Sequence, residues 1–281
     1  MIAVKDLSEL RALVRDARAS GRTIGLVPTM GALHAGHLSL VRLARRESGF
    51  VVVSIFVNPL QFAAGEDFER YPRRADEDSE MLDREGADLV YLPHASQFYS
   101  PDFSTTIEVA GVSEGGEGAV RPGHFRGVAT VVGKLFLQVA PDVAVFGRKD
   151  LQQVAVIRRM TRDLDFPVRL VIGETVREPD GLALSSRNAY LSPAERQRAA
   201  LFSKALFEAR DRVRAGERDP RVIERAARQA LADAGFSIDY VDVLEWETMR
   251  RAMRIDTGTA LAAAIRVGKT RLIDNVLLLE R

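Results

Sequence analysis

TIGLVPTMGALHAGH, residues 23–37, decides the reading of this chain. The run TIGLV is β-rich. Pro28 and Gly31 stop either a strand or a helix from simply continuing, and the apolar spacing of Leu40, Val41 and Ala44 predicts a helix face beyond the turn. A strand, a glycine-bearing turn and a helix in that order put a helix N-terminus beside the turn, where unpaired amides and the helix dipole favour an anion. Gly31 and Gly36 allow a close backbone approach, and the imidazoles of His34 and His37, three residues apart, can donate to one polyphosphate. Ordinary structural histidines are one alternative, and zinc ligation is another. It wants a third protein ligand, and neither His94 nor His124 stands where it would obviously serve. The strand-turn-helix context favours phosphate.

From this stretch outward, β-like and helical patterns alternate up to about residue 172. Helices are expected at 6–19, 37–48, 75–85, 126–139 and 151–165, and strands at 23–27, 50–57, 88–92, 143–146 and 168–172. Such alternation predicts an α/β domain built on a parallel sheet. Beyond Val176 come a polar loop (REPDGLALSSRN), two Arg-rich amphipathic helices starting near Pro193 and Pro220, and β-like runs at 238–244, 259–267 and 271–279. The chain is therefore expected to divide into residues 1–175 and a smaller α+β domain, residues 176–281.

Hydrophobic residues make up 46% and charged residues 28% of the 281, with a formal net charge of +1. That composition fits a globular chain with no general attraction to nucleic acid or anionic membrane, so any anion site must be local. Only five of the 40 basic residues are lysines, which makes Lys149 in a loop conspicuous. No cysteine is present, so disulfides, thiolate ligands and a cysteine nucleophile are excluded, and a reducing, cytoplasmic setting is expected. The N-terminus does not read as a secretory signal, and FVVVSIFV at 50–57 is too short to span a bilayer.

Further motifs fall on the expected sheet edge. FGRKD at 146–150 closes a β-run and opens a helix, the position where open parallel sheets bind ligands; Lys149 there offers a point charge to phosphate. FVNPLQF at 56–62 brings Gln61 to the same edge, and the loop LSSRN at 184–188 supplies hydroxyls and a cation. Asp76, Glu77 and Asp78 could hold Mg²⁺, although acids at a helix N-terminus are equally favoured by the dipole. Gly116-Glu117-Gly118 fails the dinucleotide fingerprint because Arg121 stands at the last glycine position, and Gly268-Lys269-Thr270 reads as a hairpin turn rather than a P-loop.

PTMGALHAGH, SIFVNPLQF, RYPR, RPGHFRGV, FGRKDLQQ and LSSRNAYL, in this order, resemble the pantothenate synthetase (pantoate-β-alanine ligase) family of the nucleotidylyltransferase group, whose H-x-G-H signature appears as residues 34–37. The resemblance implies a Rossmann-like domain bearing that motif, a small C-terminal lid and a homodimer; the LSSRN loop, if it closes over phosphate from the second domain, asks for a hinge near the boundary. It implies ATP-dependent condensation of pantoate with β-alanine to pantothenate through pantoyl adenylate, releasing AMP and pyrophosphate. Carried over by position, Met30, Gly31, Ala32, Leu33, His34, Ala35, Gly36, His37, Gly147, Arg148, Lys149, Asp150, Val176, Leu184, Ser185, Ser186 and Arg187 would bind ATP. His37, with His34 and Lys149, would be catalytic; Gln61 and Gln153 would contact pantoate; Glu77 and Asp78 would hold Mg²⁺. Three departures are visible: Leu184 replaces the family's usual methionine, Arg148 replaces a glutamate or glutamine and adds positive charge, and Met81 stands where relatives offer a polar group.

Overall fold

The computed structural model describes residues 1–63 and 65–279. Six strands, β1 (Ile2–Val4), β2 (Ile24–Thr29), β3 (Phe50–Ile55), β4 (Leu89–Tyr91), β5 (Val143–Gly147) and β6 (Arg169–Gly173), form one sheet in the order β1-β4-β3-β2-β5-β6. Every pairing is parallel. The four residues of β3 that read as a continuous apolar run, Phe50 to Val53, are all buried, as expected of a parallel sheet covered on both faces. β1 is an addition to the expected strands. It is three residues long, and its place at the sheet edge depends on pairing with β4, some 87 positions away by the register Ile2↔Leu89.

Helices connect the strands where the apolar spacing predicts them. Helix Leu7–Ala19 starts at Asp6, whose carboxylate accepts the amides of Ser8 and Glu9, and it buries Leu10, Val14 and Ala17. Helix Ala35–Glu47 turns Val41 and Ala44 into a core with Val27, Val51, Val53, Val90 and Val145. Strand order reverses between β2 and β5: β2 continues through Ala35–Glu47 to β3, whereas β5 continues through helix Leu151–Asp163 to β6, on the other side. The carboxyl ends of β3, β2 and β5 are thus neighbours at a switch point, the usual ligand edge of such sheets.

A second sheet is antiparallel, with β7 (Ser237–Glu245), β8 (Arg250–Arg251), β9 (Thr259–Val267) and β10 (Thr270–Leu277) in the order β10-β9-β7-β8. Gly268 and Lys269 form the two-residue turn between β9 and β10, the hairpin that the sequence indicates. Helices Pro193–Arg214 and Pro220–Asp233 contribute Phe202, Leu206, Ile223 and Leu231 to a core with Val241, Leu261 and Ile265.

The chain forms two compact units. One comprises Met1–Val109, Arg121–Arg148 and Val156–Glu174; the other comprises Ala110–Val120, Lys149–Ala155 and Thr175–Arg281. Two short runs from the first 175 residues therefore belong with the C-terminal sheet, and side-chain bonds explain why. Gln152 accepts from the amide of Glu117 and donates to the carbonyls of Val112 and Gly115. Glu117, buried, receives both guanidinium nitrogens of Arg271 at 2.7 Å and the hydroxyl of Tyr240 at 3.0 Å.

In the first unit, helix His124–Val139 lies against the 3₁₀ turn Pro59–Gln61. A Cβ at Gly127 would stand 2.2 Å from the Leu60 carbonyl oxygen, so only glycine lets helix and turn approach this closely. Gly127→Ala is expected to destabilise the protein by about 1–3 kcal/mol, the usual cost of overpacking. Denaturant midpoints measure it, and an unchanged midpoint would show that the turn yields freely.

Candidate active site

β2 ends at Thr29, and the backbone then enters two successive left-handed residues, Gly31 at φ 81° and Ala32 at φ 51°. A side chain at Gly31 would stand 2.9 Å from the Asp78 carboxylate. The turn leaves its amides outside any strand or helix ladder, so they need other acceptors. Thr29 Oγ1 takes the Gly31 amide at 3.2 Å, and the two oxygens of Asp78 take the amides of Ala32 and Leu33 at 2.8 Å each. Asp78 sits in helix Ala75–Arg84 and is 1% exposed. Burial pushes its carboxyl above the ordinary range, more than the two amides draw it down.

The turn delivers His34 to the N-cap of helix Ala35–Glu47 and His37 to its third position. His34 Nδ1 accepts the Gly36 amide at 3.1 Å, and His37 Nδ1 accepts the His34 amide at 3.3 Å. Together they form a capping box made of imidazoles. An amide can only donate, so Nδ1 of each neutral ring is the acceptor and Nε2 carries the proton. Both rings, with centroids 4.1 Å apart, therefore hold an Nε2–H donor beside a helix N-terminus.

At the end of β3, Asn58 organises the turn that carries Gln61. Its Nδ2 donates to Gln61 Oε1 and to the Gly127 carbonyl, both at 3.0 Å, while its Oδ1 accepts from the Leu60 amide and the Tyr99 hydroxyl. Gln61 is buried, and its Nε2 lies 3.1 Å from Met30 Sδ, so the ends of β2 and β3 are brought together. The Gln61 carbonyl accepts from His124 Nδ1 at 2.8 Å and from Arg121 at 3.2 Å. His124 consequently carries its proton on Nδ1 and turns Nε2 to Arg121, the tautomer opposite to that of His34 and His37. Arg121 also grips Glu66 with two nitrogens. Burial pushes Glu66 up, but Arg121 outweighs it and holds that carboxyl below its ordinary range.

The candidate residues divide between the compact units. Residues 30–37, Gln61, Glu77, Asp78, Gly147 and Arg148 belong to the first; Lys149, Asp150, Gln153, Val176 and residues 184–187 belong to the second. Gly147 ends β5 opposite Gly173 on β6, so the next residues on each strand, Arg148 and Glu174, meet as a two-pronged ion pair. The charge that Arg148 brings is thereby met by a carboxylate. Glu77 and Asp78 do not converge on a cation: Asp78 commits both oxygens to the turn, and exposed Glu77 faces Arg74 at 3.5 Å. Among the described residues no group of three histidines, cysteines or acids stands ready for a metal.

In the second unit, the Lys149 carbonyl accepts from Asn275 Nδ2 at 2.9 Å. Asp150 ends the 3₁₀ turn Arg148–Asp150 that leads into the helix bearing Gln153. The Val176 carbonyl accepts the Leu184 amide at 3.0 Å, and Ser185 caps the 3₁₀ turn Ser186–Tyr190 that holds Arg187. Glu117, Arg121, His124 and Arg271 are polar groups to which the sequence pattern gives no role, and Asn58 is read there only as an amide beside Gln61. RPGHFRGV carries two of them, and the polar loop SEGGEG carries Glu117 where a solvated acid is the natural expectation.

The profile of the family described as pantoate-beta-alanine ligase matches residues 2–277. The chain belongs to that family. It is 48% identical over 278 residues to the pantothenate synthetase of Thermoanaerobacter sp. strain X514, covering 99% of this chain and 98% of the relative. The pantothenate synthetase of Acidiphilium cryptum is 51% identical over 277 residues, covering 98% and 99%. The crystal structure of pantothenate synthetase from Thermus thermophilus superposes with a TM-score of 0.94 at 46% identity, covering 99% of each chain. Pantoate-beta-alanine ligase from Francisella tularensis, crystallised with beta-gamma ATP and beta-alanine, superposes at 0.82 with 30% identity, covering 99% of this chain and 98% of that one. The activity that goes with membership is pantoate-beta-alanine ligation, an ATP-binding step of pantothenate synthesis.

For the ligase turn itself, Asp78→Asn is the discriminating change, because an amide keeps one acceptor and sets a donor against the other backbone amide. The expected cost is about 1–3 kcal/mol, the scale of a buried donor left unsatisfied. Hydrogen exchange at Ala32 and Leu33 should accelerate; unchanged protection there would show that Asp78 does not hold the turn.

Proposed function

We propose that the ligase works by adenylation, with pantoate activated on ATP before β-alanine arrives. The pantoate carboxylate oxygen forms a bond to the α-phosphorus, the bond from that phosphorus to the bridging oxygen breaks, and pyrophosphate leaves. The unprotonated amine of β-alanine then attacks the acyl carbon, its surplus proton is lost, and AMP departs with the oxygen it gained. No enzyme nucleophile is required, in keeping with a chain that has no cysteine.

What carries this reading is the imidazole capping box. Two unit negative charges about 4 Å apart repel by roughly 4 kcal/mol at an effective dielectric of about 20, so carboxylate and triphosphate need donors and cations between them. Paired Nε2–H groups at the start of helix Ala35–Glu47 suit non-bridging oxygens, and they strengthen as charge moves to the leaving pyrophosphate. In this assignment residues 30–37, 147–150, 184–187 and Val176 take ATP, with Lys149 as a point charge; Gln61 and Gln153 take pantoate. Mg²⁺ enters with the polyphosphate, since Glu77 and Asp78 do not fit a shared cation site, and no step is assigned to it. The second unit acts as the lid that keeps water from the adenylate, and the enzyme works in the cytoplasm as a homodimer; sedimentation tests the assembly, and a monomer would overturn it.

Pantoate-dependent exchange of labelled pyrophosphate into ATP, without β-alanine, tests the scheme. Exchange is expected, with AMP formed only when β-alanine is added; formation of ADP would overturn it. His37→Ala should fold and slow single-turnover adenylation by about 10²-fold or more, the scale of one oriented donor lost from developing charge. Near-normal adenylation would remove His37 from the chemistry. Gln61→Ala should raise the KM for pantoate well above any change for ATP, whereas equal changes would make it a general architectural residue.

A further inference from the structure

Lys149 and residues 184–187 are distant in the sequence, yet one strand of the second unit holds them both. On β10, Asn275 donates from Nδ2 to the Lys149 carbonyl at 2.9 Å. Its neighbour Asp274 receives Arg177 through both guanidinium nitrogens, at 2.7 and 2.9 Å, and also the Ser203 hydroxyl at 2.9 Å. Arg177 reaches on to the carbonyls of Gly181 and Asn275, at 3.0 and 3.2 Å. Arg177 bridges to Ala183 across a short hairpin, and Leu184 donates to the Val176 carbonyl, so the loop emerging at residue 184 starts from a clamped base. Asp274 and Asn275 are only 2% and 4% exposed.

A buried ion pair is a weak source of stability, because desolvation cancels most of its attraction, but its directed bonds fix geometry. Fixed geometry matters most for lysine, a point charge on a flexible four-carbon stem whose reach is only as definite as its anchored backbone. We propose that Asp274 and Asn275 are positioning residues: through the Lys149 carbonyl and through Arg177 they hold Lys149 and residues 184–187 in one arrangement, and so set the rate of adenylation more than the affinity for pantoate. This rests on the assignment of Lys149 and residues 184–187 to the nucleotide.

Asn275→Ala removes the donor without burying a charge. Single-turnover adenylation should slow about tenfold, the rate equivalent of one directed hydrogen bond, while the KM for pantoate stays within about twofold. In a Lys149→Ala background the same change should add no further slowing, the non-additivity expected of residues that act through one another. Equal slowing in both backgrounds, or none in the otherwise unchanged enzyme, would overturn the proposal. Should Asn275→Ala fail to fold by circular dichroism, Asn275→Ser takes its place in the same cycle. Lys149→Ala alone with undiminished adenylation would instead strike at the assignment of Lys149, so the two failures are told apart.

Discussion

The bond between Asp78 and the amides of Ala32 and Leu33 is the constraint on which the first unit's candidate site depends. Two left-handed residues in succession, one of them an alanine, are a costly backbone, and they persist only where the surroundings over-determine them. Asp78 supplies that determination, with Thr29 at one end of the turn and the helix cap at the other. Once the turn is set, His34 falls on the N-cap and His37 on the first helical turn, and Met30 meets Gln61. A carboxylate that looks like a metal ligand in the sequence is thus a fastening for backbone.

The second unit is organised by a similar device at larger sequence separation. Glu117 takes Arg271 and Tyr240, Arg271 also takes Asp239, and Gln152 closes the loop of residues 112–117 by three bonds. Burial pushes the Tyr240 hydroxyl well above its ordinary range, and the adjacent Glu117 adds to the shift, so Tyr240 serves as a neutral donor. In each unit a buried acid is held by directed donors: backbone amides at Asp78, and a guanidinium with a hydroxyl at Glu117.

Much of this was legible in the sequence. Helices and strands with strong period, such as Leu7–Ala19, β3, β9 and the turn after β2, depend on local spacing and fall close to where that spacing puts them. The H-x-G-H turn and Gln61 were visible because a strand-to-helix passage marks a sheet edge. What escaped is non-local. Asp78 meets Leu33 across 45 positions and Arg271 meets Glu117 across 154, and no periodicity encodes such a pairing. Arg148 shows the same limit: its charge was legible, but the Glu174 that meets it follows from the register of β5 on β6. β1 was missed because only Val4 of its three residues is buried and its one partner, β4, lies 87 positions away.

The imidazole capping box has a consequence for the field around it. Enzymes that must hold a histidine in one tautomer commonly set an aspartate behind the ring, and that acid then sits as a fixed negative charge near the reacting centre. Here the backbone amides of Gly36 and His34 orient the rings. The orienting groups are dipoles with their positive ends toward Nδ1, so these two bonds fix the tautomer without themselves using a charged side chain. Helix start and proton placement share the same bonds, and turning either ring over would give up one capping acceptor of the first turn.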